Sequence, residues 1–176
     1  RKSIEEDTRF LFSAFGLNEN HYDLVFHSGA TEFINTIVRG RASFLARENR
    51  KFCFIYFSSV FSAVCAQADY LREFGHEVCE VEVDSQGLFQ FDHLIHLIKE
   101  RSDKSVLVNW TWSNNESGVV FPLELARKIK SETHADVHVD AVQSVGKLHD
   151  WQILNSDLEC YTFSSHKFGS LKGLGF

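Results

Sequence analysis

Lys167, in Ser164-Ser165-His166-Lys167, offers an amine beside a hydroxyl and an imidazole. Asp140 closes the run Asp136-Val137-His138-Val139-Asp140, where its carboxylate would sit at the rim of a sheet and could hold a positive charge. Ser28-Gly29-Ala30-Thr31 stands between a strand-like run and a helix-like one, a place where free backbone amides can cradle a phosphate. Asn114-Asn115-Glu116 adds amide and carboxyl groups in a short polar turn. Taken singly, each has an ordinary alternative: a surface charge for Lys167, a turn or cap for Asp140, a plain loop for the other two. His134-x-x-x-His138 and His93-x-x-His96 have spacings that can bind a metal, but neither has a further ligand in sight, so no metal is expected. The cysteines at 53, 65, 79 and 160 form no C-x-x-C pair, which argues against a zinc knuckle or a disulfide framework. Cys53 and Cys79 fall in apolar runs and read as small buried hydrophobes.

The elements that must position these groups follow from periodicity. Ser3-Ile4-Glu5-Glu6 has the pattern of a capping box, and Ile4, Thr8, Leu11, Phe12 and Phe15 then share a helical face that Gly16 ends. Asp23 to His27 reads as a short strand, followed by the small-residue turn and a helix through about Arg39. Phe52 to Phe57 is a second strand, and a helix from about Val60 to Phe74 stops at Gly75. Glu77 to Val83 alternates like a strand, and Asp92 is placed to cap a helix carrying Leu94, Ile95, Leu97 and Ile98. Ser105 to Thr111 is a strand, Pro122 suits the first turn of a helix reaching Glu132, and Val137 to Asp140 and Leu158 to Phe163 are the last strands. Strands alternating with helices over short connections predict an α/β domain with a mainly parallel sheet flanked by helices. Such sheets bind ligands at the carboxyl ends of their strands, and 28–31, 113–116, 140–143 and 164–167 all follow a strand.

Composition narrows the partners. The chain has 176 residues, enough for one domain, of which 44% are hydrophobic and 24% charged, a globular mix. Its net charge of −6 and lack of a Lys/Arg stripe argue against nucleic acid. Apolar runs such as Phe52 to Phe57 fall far below the ~20 residues of a membrane helix. No basic-then-apolar leader opens the sequence, and a cytoplasmic setting is expected. The sequence holds no methionine and closes on the strand-like Leu174-Gly175-Phe176, so it is expected to be part of a longer chain.

Pyridoxal phosphate makes demands that these stretches match. Its aldehyde needs a lysine amine, its pyridine nitrogen a carboxylate, its ring a flat partner and its phosphate a helix start with hydroxyl or imidazole donors. Four segments in one order carry a family resemblance. Phe26-His27-Ser28-Gly29-Ala30-Thr31-Glu32 resembles the "SGATE" segment of cysteine desulfurases, and Asn114-Asn115-Glu116-Ser117-Gly118 their "NNE-x-G". His138-Val139-Asp140-Ala141-Val142-Gln143-Ser144-Val145-Gly146-Lys147 resembles "HVDA-x-QS-x-GK", and Phe163-Ser164-Ser165-His166-Lys167 resembles "FS-x-HK". The chain thus resembles cysteine desulfurases and the class V aminotransferases over nearly its whole length.

That resemblance implies the large domain of the aspartate-aminotransferase-like fold, PLP fold type I, over residues 1–176, with a small domain elsewhere in the protein. It implies a PLP-dependent enzyme, transferase or lyase, that transforms a small amino-acid substrate and works as a homodimer. Lys167 is implied as the Schiff-base lysine and Asp140 as the partner of the pyridinium nitrogen. Gln143 and Asn115 are implied beside the phenolic oxygen, and Thr31, Ser164 and His166, with the Ala30 amide, on the phosphate. Two places depart from the pattern. The desulfurase "EH-x-AV" segment reads Val60-Phe61-Ser62-Ala63-Val64, so Phe61 can stack on the ring but cannot transfer a proton. The family's "GPKG" reads Ser170-Leu171-Lys172-Gly173. A degenerate relative acting as a scaffold or partner protein is therefore the alternative, and a nucleotide-binding domain using the 28–31 turn ranks last because it lacks a Walker lysine.

Overall fold

The computed structural model describes residues 2–151 and 158–176. Five helices, α1 (Lys2–Phe15), α2 (Ala30–Arg47), α3 (Ser62–Glu73), α4 (Phe91–Lys99) and α5 (Leu123–Glu132), alternate with strands β1 (Phe52–Phe57), β2 (Glu77–Val81), β3 (Ser105–Thr111), β4 (Asp136–Asp140) and β5 (Cys160–Thr162). A 3-10 turn, Ser165–Phe168, follows β5. The strands form one sheet in the order β2-β1-β3-β4-β5, and every pairing is parallel. Helical crossovers make such a sheet possible and cover both of its faces.

Side-chain alternation along the strands divides the interior. Cys53, Ile55 and Phe57 of β1 join Val106, Val108 and Trp110 of β3 in a core shared with Leu94 and Ile98 of α4 and Ala126 and Ile129 of α5. Phe52, Phe54 and Tyr56 face the other way, onto Ile34, Val38 and Leu45 of α2 and Val64 and Leu71 of α3. Each large apolar side chain buried this fully contributes about 1.5–3 kcal/mol. On the α2 side, β3, β4 and β5 change character: Asn109, Thr111, His138, Asp140 and Thr162 are all buried polar residues. His138 Nδ1 donates to Asn109 Oδ1 at 2.8 Å and Thr162 Oγ1 donates to His138 Nε2 at 2.6 Å, which ties the three strands together side chain to side chain. Burial lowers the His138 pKa to about 3, so the ring is neutral at neutral pH.

Several expected boundaries move, each for a local reason. Asp23 to His27 is not a strand; among the described residues it is bridged only at His27, which exchanges hydrogen bonds of 2.8 and 2.7 Å with Gly175. Helix α2 continues past Arg39 to Arg47 because Ile34, Val38, Ala42 and Leu45 keep one buried face, while Gly40 points into open space and does not interrupt it. Asn49, in the left-handed conformation, closes that helix with the Arg50 N–H bonded to Leu45 O at 2.9 Å. Ser3 lies inside α1 and its hydroxyl reaches Asp7, so no capping box forms there. Asp92 sits in the first turn of α4 behind the N-cap Gln90, and Pro122 is itself the N-cap of α5. Helix α3 begins at Ser62, β2 ends at Val81, and β5 is confined to Cys160–Thr162.

Candidate active site

The carboxyl ends of β1, β3, β4 and β5 and the start of α2 surround one cavity of about 420 Å³, within the range of small-molecule sites. Every candidate residue lines it: Ala30, Thr31, Phe61, Asn115, Asp140, Gln143, Ser164, His166 and Lys167. The reason is topological, since each follows a parallel strand or opens a helix at the same edge.

At the start of α2, Gly29 is the N-cap and no side chain caps it, which leaves amide donors and the positive end of the dipole directed at the cavity. Glu32 folds back on Ser28, accepting its backbone N–H at 2.8 Å and its hydroxyl at 2.7 Å. These hydrogen bonds, with His27 nearby, hold the Glu32 carboxyl below its ordinary pKa. Across the cavity, Ser164 Oγ and His166 Nδ1 lie 3.0 Å apart, which orients the imidazole beside Lys167. Gly175 bridges to both His27 and Ser164, so one residue fixes the spacing between the two turns.

The β3 end supplies Asn115 through its neighbour. Asn114 Oδ1 accepts the N–H groups of Glu116 and Ser117 at 2.8 and 2.9 Å, and its amide nitrogen donates to Ser59 O. That pins the loop and leaves the exposed Asn115 on the cavity wall. Gln143 Oε1 accepts from Lys147, keeping its amide end beside the cavity. Asp140 is 7% exposed and accepts a hydrogen bond from Val142 N–H at 3.1 Å. Loss of solvent raises its pKa to about 6, only partly opposed by that bond. A buried carboxylate with so little compensation favours a cationic neighbour, and the protonated ring nitrogen of pyridoxal phosphate is one. The donor set fits the rest of the group: an amine at Lys167, a helix start with hydroxyls for a phosphate, and apolar Phe61 and Val142.

A model of the class-V aminotransferases matches residues 2–176. The chain belongs to that family. It is 37% identical over 154 residues to the cysteine desulfurase IscS of Glaesserella parasuis, covering 87% of this chain and 36% of that protein. It is 32% identical over 175 residues to the mitosomal cysteine desulfurase of Trachipleistophora hominis, covering 99% of this chain and 38% of the relative. Among solved structures, DndA from Streptomyces lividans superposes with a TM-score of 0.84 at 29% identity over 99% of this chain and 46% of that one. A NifS-like protein gives a TM-score of 0.82 at 31% identity over 98% of this chain and 46% of that one. The chain therefore spans less than half the length of these relatives. Its sheet and helices are those of PLP fold type I.

Other parts of this class-V chain stand apart from the cavity. His134 Nε2 meets Lys104 O at 3.1 Å while both ring nitrogens of His138 are used, so that pair does not converge. His93 and His96 are exposed on α4, with His96 beside Glu100 at 3.0 Å. One grouping the sequence did not suggest is Cys53, Glu77 and Cys79, with the two sulfurs 3.8 Å apart. Glu77 is already held by Arg101 at 2.8 Å and by Lys104, so its charge is met. Thr111, which the sequence does not mark, also lines the cavity, as do Ser113 and Val142 of the segments 113–116 and 140–143 and Lys172 of the Ser170–Gly173 departure. For Thr111 the one usable signal was its place opposite Asp140, which exists only once β3 and β4 are paired in register. No helix among the described residues is long and apolar enough to cross a membrane.

Proposed function

We propose that this chain is the cofactor-binding large-domain portion of a PLP-dependent, cysteine-desulfurase-like enzyme acting on a small amino acid. The observation that carries the proposal is the pairing, in one cavity, of the buried Asp140 carboxylate with the half-buried Lys167 amine. When bound, pyridoxal phosphate supplies an electron sink that weakens bonds at the substrate's α-carbon. The protein's part is binding, orientation and proton handling. Asp140 holds the proton on the ring nitrogen, because a carboxylate in low dielectric raises the pKa of a basic nitrogen beside it. Lys167 Nζ provides the covalent attachment and then moves the substrate's α-proton. Asn115 and Gln143 orient the phenolic oxygen. The Ala30 amide, Thr31, Ser164 and His166 hold the phosphate at the start of α2.

The substrate class draws support from the relatives, which are named as cysteine desulfurases, and from a solved neighbour, SspA, described in complex with cysteine. Phe61 qualifies this. Its side chain, 57% exposed at the N-cap of α3, offers a face for stacking and no ionisable proton. Phe61 therefore supplies no proton, and Lys167 is the group to which the α-proton is assigned. A second copy of the protein is part of the reading: the family resemblance implies a homodimer, and the exposed Phe61 lines the cavity. Phe61 is also the observation that favours the second reading, a family member that keeps the fold as a scaffold.

Absorbance of the full-length protein with added pyridoxal phosphate separates the two. A visible band that borohydride fixes onto the Lys167 peptide, and that Lys167→Ala loses, is the expected result. Folded protein without a band supports the scaffold.

A further inference from the structure

Thr111 closes β3 directly opposite Asp140 of β4 in the parallel register. Opposed residues on neighbouring parallel strands point to the same face with their Cβ atoms ~5 Å apart. Thr111 is 5% exposed, lines the cavity, and its Oγ1 is buried with no hydrogen-bond partner. A hydroxyl in that condition is a liability in an empty core, where valine has the same shape without the polar atom. Strand β3 carries valine at Val106 and Val108, both on its other face. Asp140 accepts one hydrogen bond, from Val142, while an ionised carboxylate can accept about four.

We infer that Thr111 is a positioning residue for Asp140: its hydroxyl donates to the Asp140 carboxylate and favours the ionised form in the orientation that the cavity needs. The inference rests on the cofactor reading above for its purpose but not for its geometry. Both side chains share a face and line the same cavity, and rotation about χ1 is the motion by which the Thr111 hydroxyl would turn to the carboxylate. The other titratable groups around Asp140 are His138, neutral and saturated by Asn109 and Thr162, and the cavity-lining Glu32, Glu116, His166, Lys167 and Lys172. Among these, the amines favour ionised Asp140 and the carboxylates oppose it. Thr111 stands directly opposite Asp140 on the paired strand and carries no charge of its own.

The test compares wild-type full-length protein with Thr111→Val and Thr111→Ser, following the Asp140 carboxyl by carbon NMR across pH in protein freed of cofactor. Thr111→Val is expected to raise the Asp140 titration midpoint by about one pH unit, the worth of a hydrogen bond to a charged group, and Thr111→Ser to restore it. In protein loaded with pyridoxal phosphate, the pH midpoint of the visible band should move for Thr111→Val and not for Thr111→Ser. A Thr111→Val protein whose Asp140 titrates as in wild type overturns the inference. If Thr111→Val does not fold, Thr111→Ala, which also lacks a donor, replaces it in the same comparison. Failure to take up pyridoxal phosphate at all sinks the cofactor reading, while the cofactor-free titration still decides the hydrogen bond.

Discussion

Water is what lets an aspartate ionise near pH 4, and Asp140 has lost most of it. With its pKa raised from 3.8 to about 6, the folded protein binds the Asp140 proton more tightly than the unfolded chain does. Such a group stabilises the fold least when it is ionised: stability attributable to it falls as pH rises from about 3.8 through 6 and stays low above that. Asp140→Asn keeps an acceptor for the Val142 N–H and removes the penalty. In cofactor-free protein it should therefore raise stability at pH 7–8 by up to about 3 kcal/mol, with the gain shrinking to nothing as pH falls below 4. Denaturant melts of both proteins across pH check this. His138 has the opposite sign, losing stability as pH falls from 6.5 towards about 3, but it is common to both proteins and cancels in the difference. The same substitution should weaken retention of pyridoxal phosphate, which is how a residue kept for binding differs from one kept for folding. The thiols show a related contrast. Cys160 is pushed up to about 12 by burial, whereas the contact with Cys53, and then the charge of Arg101, lowers the Cys79 thiol.

Between residues and fold, the decisive connection is the short pairing of Gly175 with the chain before α2 and the chain after β5. A Cβ on Gly175 would lie 2.8 Å from Phe163 O and 2.9 Å from Gly29 Cα, both backbone atoms that cannot swing aside. The start of α2 and the Ser164–Lys167 turn are thus held closer than any side chain allows. Gly175→Ala should force them apart, costing about 1–3 kcal/mol by the usual scale of overpacking. Because the displaced segment is the N-cap of α2, the variant should also lose affinity for inorganic phosphate and for pyridoxal phosphate. A thermal melt and a titration with each ligand measure the two effects; a destabilised variant with unchanged affinity would place the cradle elsewhere.

Across the whole molecule, the sheet is polarised end to end. Its carboxyl edge holds the cavity, and its amino edge holds ion pairs: Arg41 with Asp136, Lys130 with Asp136 and Glu159, and Arg101 and Lys104 with Glu77. Glu159 also accepts the Val137 N–H at 2.6 Å, stitching β4 to the chain entering β5. Charges at the far edge serve the fold and are too distant from the cavity to serve the chemistry. Arg41→Met should accordingly cost about 1 kcal/mol, solvent screening included, and leave Asp136 with Lys130 as partner. Its visible spectrum with pyridoxal phosphate should match wild type. Loss of the band in a stably folded Arg41→Met protein would show that the two edges are coupled.

Local sequence settled the alternation of helices and strands, because apolar spacing and glycine stops act within one element; α3 with Gly75 and α4 with Leu94, Ile95 and Ile98 are examples. It also placed the segments 28–31, 113–116, 140–143 and 164–167 at one edge, since parallel strands separated by helices bring their carboxyl ends together whatever the details of packing, while the individual site residues within them were implied by the family resemblance. What sequence could not settle was every property that needs a neighbour from elsewhere in the chain. Asp23 to His27 has the apolar run of a short strand, yet strand identity depends on a partner along its length, and among the described residues the run is bridged only at His27, by Gly175. Helix α2 runs past the end expected near Arg39 because the buried face that carries it on to Arg47 is defined by contact with β1 and α3. Thr111 became notable only when register set it opposite Asp140, and the raised pKa of Asp140 only when burial removed its water. Periodicity is a property of one segment, whereas burial, register and pKa are properties of pairs, and tertiary structure alone decides which pairs exist.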